Sequence, residues 1–277
     1  MGVRVEISEV APSLRLEGGI WTSGLAADLS YPESGNRVFF DIEDRSFWFR
    51  HRNDCIVAAV RRHPPAGTIL DVGGGNGFVA RRLLNEGFHT ILLEPGQEGA
   101  QNGSRGRHIP EVVCSTLRGA GFAARSVPAI GLFDVLEHIE DDQDFVEQIR
   151  AVLCPGGLLY GTVPAGQWLW SMADVDAGHF RRYSERIIGK LLQRRLDLIF
   201  ATHFFAPLIV PVLGARAMPY RLGVRRSTLA SESAAHGTEG GPLVRLMRAI
   251  LGSEARKIGE GRSSSLGTSL LFVARAR

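Results

Sequence analysis

Residues 68–78, TILDVGGGNGF, constrain this chain more than any other stretch. Ile69, Leu70 and Val72 surround Asp71, then Gly73, Gly74, Gly75, Asn76 and Gly77 precede a VARRLL run. A short apolar run, clustered glycines and helix-spaced residues predict a buried strand, a tight turn and a helix. Glycines there adopt positive φ and let the backbone approach a ligand, and the following helix offers free N–H groups at its start. The turn predicts a nucleotide-like ligand without saying which.

Further apolar runs follow at residues 90–93 (ending in Glu94), 111–114, 130–136 (leading into Glu137 and His138), 157–164, 197–203 and 269–274. With residues 68–72 they make seven predicted strands. Strands alternating with helix-length segments imply right-handed crossovers and a mostly parallel sheet with helices on both faces. Ligands of such α/β sheets sit beyond the carboxyl ends of the strands. The glycine turn, Glu94, the Glu137–His138 loop and the loop after Pro164 should therefore converge. Residues 1–46 read as an N-terminal extension that opens with a short strand or hairpin. Residues 47–277 form the main domain, and residues 204–262 a helical and flexible insertion before the last strand. Ile56, Val57 and Val60 mark the core face of a helix stopping before Pro64 and Pro65. Residues 78–85 predict a helix capped near Gly87, residues 243–251 a helix, and the Ser- and Gly-rich residues 227–241 a flexible loop.

The bulk composition bounds function more loosely. The formal charge of +3 on 277 residues is too weak to imply nucleic acid. Cys55, Cys114 and Cys154 lack CxxC spacing, so neither a disulfide framework nor a metal site is expected, and a cytoplasmic setting is the default. No export signal is read at the N-terminus. Residues 204–226 are broken by Pro207, Pro211 and Pro219 and flanked by Arg216, Arg221, Arg225 and Arg226. A packed helical element and a peripheral membrane contact both fit them; a membrane-spanning helix does not.

Two features narrow the ligand. The glycines follow a tight G-x-G-x-G spacing from Gly73 to Gly77, with fewer positions to cradle a pyrophosphate than G-x-G-x-x-G provides. Glu94 ends the second strand, where a carboxylate accepts hydrogen bonds from ribose hydroxyls. An adenosine-bearing cofactor without phosphate satisfies both. On ILDVGGGNG, the LLEP strand end, LFDVLEHIEDD and LCPGGLLYGTVPA, the sequence resembles the class I S-adenosylmethionine-dependent methyltransferases. It looks most like a bacterial small-molecule subgroup that also carries FWF-R-x-R-N and GHFRRYS segments.

The resemblance implies a Rossmann-like seven-stranded sheet and S-adenosyl-L-methionine as cofactor. It places Gly73, Gly75, Asn76 and Gly77 by the methionine part, Asp71 by its amino group, Glu94 on the ribose and Asp134 near the cofactor. The adenine position, acidic or polar in the family, is occupied by Ser115 and Thr116. Methyl transfer from a sulfonium requires mainly alignment of nucleophile, methyl carbon and sulfur. A hydroxyl acceptor also has to lose a proton, and His138 and His179 are the candidate bases. Trp48, Trp168, Arg181, Arg182 and Tyr183 are candidate acceptor contacts; the arginines are also placed to pair with Asp174 and Asp176. The reading is methyl transfer to a small molecule, O-methylation favoured, the acceptor lipid-like or glycosylated. A nucleotide-dependent oxidoreductase and a non-catalytic cofactor-binding protein are the alternatives.

Overall fold

The computed structural model describes residues 2–24, 40–224 and 242–277. Nine strands build one sheet: β1 (Arg15–Glu17), β2 (Ile20–Thr22), β3 (Ile69–Val72), β4 (Thr90–Leu93), β5 (Val112–Cys114), β6 (Val127–Phe133), β7 (Leu153–Pro164), β8 (Leu196–Phe204) and β9 (Ser269–Ala276). Their order is β1-β2-β5-β4-β3-β6-β7-β9-β8. All seven predicted strands form. β3, β4, β5, β6 and β7 pair in parallel, and β9 runs antiparallel between β7 and β8. The chain goes outward from β3 to β4 and β5, then returns to place β6 on the other side of β3. The carboxyl ends of β3 and β6 therefore border the crevice where the winding direction reverses.

Residue alternation along the strands divides the core in two. Leu70, Val72, Leu159 and Val163 pack with Val146, Ile149, Ile188 and Leu191 on one face. Ile69, Leu158 and Tyr160 pack with Ile56, Val60, Val79, Leu83, Leu251 and Ile258 on the other. Helices Asp142–Val152 and Glu185–Leu192 thus cover the first face, and helices Phe47–Arg62, Phe78–Asn85 and Pro242–Gly259 the second. The helix ends follow local chemistry: Ser46, Asp141 and Ser184 accept from backbone N–H groups as N-caps.

Several boundaries differ from the sequence expectation. The sheet has nine strands because the N-terminal extension adds the β1–β2 hairpin, with β2 parallel to β5. The hairpin lies at residues 15–22 rather than at the alternating start of the chain. There Val3 makes a single bridge to Gly67, and Val5, Ile7, Ala11 and Leu14 enter the core. β6 begins three residues before Ile130 and ends at Phe133. Pro128 is tolerated because the register shifts between Val127 and Ala129, so the missing N–H breaks no regular ladder. β7 starts at Leu153 and runs through Pro155 and Gly156 on its exposed part.

Beyond β8 the chain turns through short helical pieces over residues 206–221, then resumes in helix Pro242–Gly259, longer than expected. The expected loop at 227–241, Arg225 and Arg226 lie outside the described residues. Among the described residues no helix is long and apolar enough to cross a membrane.

Candidate active site

The glycine turn alternates left-handed backbone: Gly73, Gly75 and Gly77 have φ of +68°, +56° and +76°. A side chain at any of the three would be strained, and a Cβ on Gly77 would come within 2.3 Å of Ile109 Cδ1. Gly74 leaves room for a different neighbour, since its Cβ would stand 2.7 Å from Asp71 Oδ2. Asp71 is fully buried beneath the turn, and neither oxygen meets a donor at full hydrogen-bonding geometry. Burial pushes its pKa to about 7, against the pull of nearby Arg52.

Glu94 reaches the same turn from the end of β4. Gly75 N–H donates to its Oε2 and Gly96 N–H to its Oε1, both at 2.8 Å. Burial raises its pKa, partly offset by those two amides. Each oxygen retains a lone pair for a further donor. An orphaned carboxylate below a glycine cradle, and a second with spare acceptor capacity beside it, fit a ligand carrying a cationic amino group and adjacent hydroxyls.

Asn76 belongs to the back of the turn. It is buried, accepts from Asn102 Nδ2 at 2.9 Å and donates toward Glu43 Oε1 at 3.4 Å. Glu43 is in turn held by Arg107 Nη2 at 2.8 Å, and Arg107 reaches Asp44 at 3.0 Å and lies over the rings of Phe40 and Phe78. Arg107 thereby fastens the helical turn at 40–45 against the glycine loop. Ser115 donates to Ser23 in the extension at 3.0 Å, and Thr116 is exposed and caps helix Leu117–Ala120.

Asp134 takes the left-handed conformation (φ +59°), which turns the chain sharply off β6. Its carboxylate is fixed by Arg52 Nη1 at 2.5 Å and Thr162 Oγ1 at 3.1 Å. Arg52 lies 5.3 Å from the ring centroids of both Trp48 and Phe49. Trp48 stacks on Phe205 with centroids 5.2 Å apart, and His51 holds Glu254, which also accepts from the Phe205 and Ala206 amides. The FWF-R-x-R-N segment is therefore a hub joining the end of β6 to the insertion.

Past Asp134 the loop brings Glu137 and His138 against the segment after β7. Phe180 N–H donates to the Glu137 carbonyl at 2.8 Å, and the His138 and His179 rings meet edge to face at 4.8 Å. His179 Nδ1 lies 3.0 Å from Asp174 Oδ1, and Arg182 grips the same carboxylate at 2.7 and 3.0 Å. Burial would raise the Asp174 pKa, but the His179 and Arg182 contacts outweigh it and leave it lowered. Burial and the neighbouring His179 push His138 down to about 4, while burial and Asp134 push Glu137 well above the carboxylate range. Ligand atoms of Glu137, His138 and His179 lie within 4.8 Å of one another.

The two candidate bases thus come together. The candidate acceptor contacts divide. Trp168 is 44% exposed, and its carbonyl accepts from Arg221 of the insertion at 2.7 Å. Arg182 pairs with Asp174, a partner weighed from sequence, whereas Arg181 pairs with Asp142 at 2.8 Å, which was not. Tyr183 is fully buried, its hydroxyl 3.1 Å from the Leu136 carbonyl and 3.0 Å from Asp142, so it packs the loop onto the sheet rather than facing a ligand. Sequence reasoning passed over Arg52, Arg107 and Asp174 as functional positions. Arg52 stands in the FWF-R-x-R-N segment and Asp174 in the S-x-x-D capping box with Ser171, whereas Arg107 carried no local signal.

A profile of the family described as "Methyltransferase domain" matches residues 45–195, more than half of the chain. An uncharacterized methyltransferase of Mycobacterium sp. (strain KMS) is 31% identical over 105 residues, 38% of this chain and 42% of the relative. The ubiquinone biosynthesis O-methyltransferase of Escherichia coli O9:H4 (strain HS) is 28% identical over 120 residues, 41% of this chain and 50% of the relative. The chain spans half or less of the length of these curated relatives. Phosphoethanolamine N-methyltransferase 2 of Haemonchus contortus, solved with S-adenosyl-L-methionine, shares the fold at TM-score 0.54 and 16% identity, over 92% of this chain and 61% of that one. With the family profile spanning the glycine turn, β4, the Glu137–His138 loop and the His179 segment, this chain belongs to the methyltransferase-domain family.

Proposed function

We propose that the protein transfers a methyl group from S-adenosyl-L-methionine to a small-molecule acceptor, with an oxygen as the methylated atom. The observation that carries this reading is the orphaned Asp71 carboxylate under a left-handed glycine turn, with Glu94 locked beside it. Asp71 and the turn hold the amino-acid part of the donor, and Glu94 holds the ribose. Donor and acceptor meet at the carboxyl ends of β3 and β6, where alignment supplies much of the rate. The His138–His179 pair activates the acceptor hydroxyl, and Asp174 and Arg182 keep His179 oriented for that work. Trp168 and the insertion, joined through Arg221, border the acceptor side, and exposed Val210 and Leu222 suit an acceptor with an apolar part.

Calorimetry with S-adenosylhomocysteine, NAD(H) and NADP(H) tests the donor reading. Binding of the first alone is expected, whereas binding of a nicotinamide cofactor in its place would overturn it. Labelled-methyl transfer onto fractionated small-molecule extracts then identifies the acceptor. His138→Ala and His179→Ala are expected to lower turnover by roughly 10²-fold or more with S-adenosylhomocysteine affinity kept. Loss of that affinity would place the histidines on the donor instead.

A further inference from the structure

The cluster of Glu137, His138 and His179 has a composition that hydroxyl activation by the histidines alone does not explain. Glu137 is 1% exposed, and its Oε2 has no hydrogen-bond partner. A buried carboxylate oxygen left in that state is costly, and the cost is removed by a cation placed against it. One carboxylate oxygen and one nitrogen from each imidazole already lie within 4.8 Å of one another.

A second observation points the same way. His179 Nδ1 faces Asp174 Oδ1 at 3.0 Å, which assigns the ring proton to Nδ1 and the lone pair to Nε2. Asp174 is itself clamped by Arg182. A histidine held from behind by a fixed carboxylate is the usual support of a metal-ligating imidazole. One carboxylate with two imidazoles is a donor set for a borderline divalent transition ion, with three protein ligands leaving coordination positions open.

We propose that Glu137, His138 and His179 bind one divalent transition-metal cation, with zinc the closest match to the donor set. Ligand atoms around zinc in a tetrahedral set stand roughly 3.3 Å apart, so the cluster closes by small side-chain rotations. The charged groups around it are Asp134, which adds negative charge and is paired with Arg52, and Asp174, which is held by Arg182. The cation takes the acceptor oxygen as a further ligand and makes its hydroxyl more acidic; the proton passes to water, and the alkoxide attacks the methyl carbon as its bond to the donor sulfur breaks and S-adenosylhomocysteine leaves. That use rests on the methyl-transfer reading; the cation site itself does not.

The test uses the full chain, stripped with a chelator and titrated with zinc by calorimetry and with cobalt(II) followed by its visible d–d absorption. One ion per chain is expected. His179→Phe and Glu137→Gln should each weaken cobalt binding by roughly 100-fold, and Asp174→Asn by about 10- to 100-fold. Because Glu137 is buried, His179→Phe carries the test if Glu137→Gln fails to fold. Absence of stoichiometric binding to the wild-type chain, or cobalt spectra unchanged by these substitutions, would overturn the site. S-adenosylhomocysteine titrations of the stripped protein separate the two proposals. Cobalt binding without S-adenosylhomocysteine binding refutes the donor reading alone, and the reverse refutes the metal site alone.

Discussion

Replacing Asp71 by asparagine removes a carboxyl group that the fold holds against its ordinary chemistry. Burial moves its pKa from 3.8 to about 7. At ~1.36 kcal/mol per unit, the ligand-free fold disfavours the ionised form by ~4 kcal/mol. The folded chain binds this proton more tightly than the unfolded chain, so the group makes stability fall as pH rises from about 4 to about 7. Outside that window its contribution is flat. The stability of Asp71→Asn relative to wild type should therefore improve by a few kcal/mol between pH 4 and pH 7.5, measured by urea unfolding at both pH values. Donor binding reports the same proton. If the ammonium of the bound donor pairs with Asp71, binding drives ionisation and releases about 0.9 proton at pH 6 and about a quarter at pH 7.5. Calorimetry in buffers of different ionisation enthalpy reads that number directly. The variant should release none and bind S-adenosylhomocysteine roughly 10- to 100-fold more weakly, the worth of a charged hydrogen bond. A pH-independent stability difference, or proton release that survives in the variant, would refute the reasoning.

Two glycines separate backbone strain from crowding. Gly87 (φ +86°) has nothing within 4 Å of the place a Cβ would occupy, so Gly87→Ala should cost about 1 kcal/mol in thermal unfolding and leave donor affinity alone. Gly77→Ala should cost a further ~1–3 kcal/mol through Ile109 and weaken donor binding; equal losses at both positions would contradict the geometry. Arg107→Met leaves Glu43 buried without its cation and should destabilise by ~3–5 kcal/mol in chemical denaturation, whereas a loss below about 1 kcal/mol would mean the 40–45 segment is held by something else. His51→Ala removes a partner from half-buried Glu254 and should speed hydrogen exchange in helix Pro242–Gly259 more than in Asp142–Val152; uniform exchange would count against the hub.

Elements whose signal is local were legible. β3, β4, β8 and β9 are short, mostly apolar runs, and the glycine turn follows from residue type alone. The β1–β2 hairpin was not, because its strands are three residues long, exposed or half-buried, and lack alternation. Nor were the true starts of β6 and β7, where Pro128 and Pro155 argue against a strand until the bulge and the exposed stretch beside them are seen. In the site, the His138–His179 convergence could be expected from strand ends, but side-chain pairing across the chain could not. Arg52 reaches Asp134 across 82 positions and Arg107 reaches Glu43 across 64, and no spacing rule spans such distances. Tyr183, a candidate acceptor contact from sequence, instead packs the loop, because its hydroxyl has buried partners that let the ring enter the core.

β8 leaves the sheet at Phe204 and β9 enters it at Ser269, and those two residues are paired in register. The whole intervening segment is thus a loop closed at one rung of a ladder. Closure entropy grows only with the logarithm of length, so doubling such a loop costs about 0.6 kcal/mol. Length changes ahead of helix Pro242–Gly259 can accordingly leave the strands beside Gly73 and Glu94 undisturbed, provided that helix keeps Leu251 and Ile258 in the core and Glu254 on His51. The fold thus joins a length-tolerant connection to a fixed floor formed by the carboxyl ends of β3 and β4.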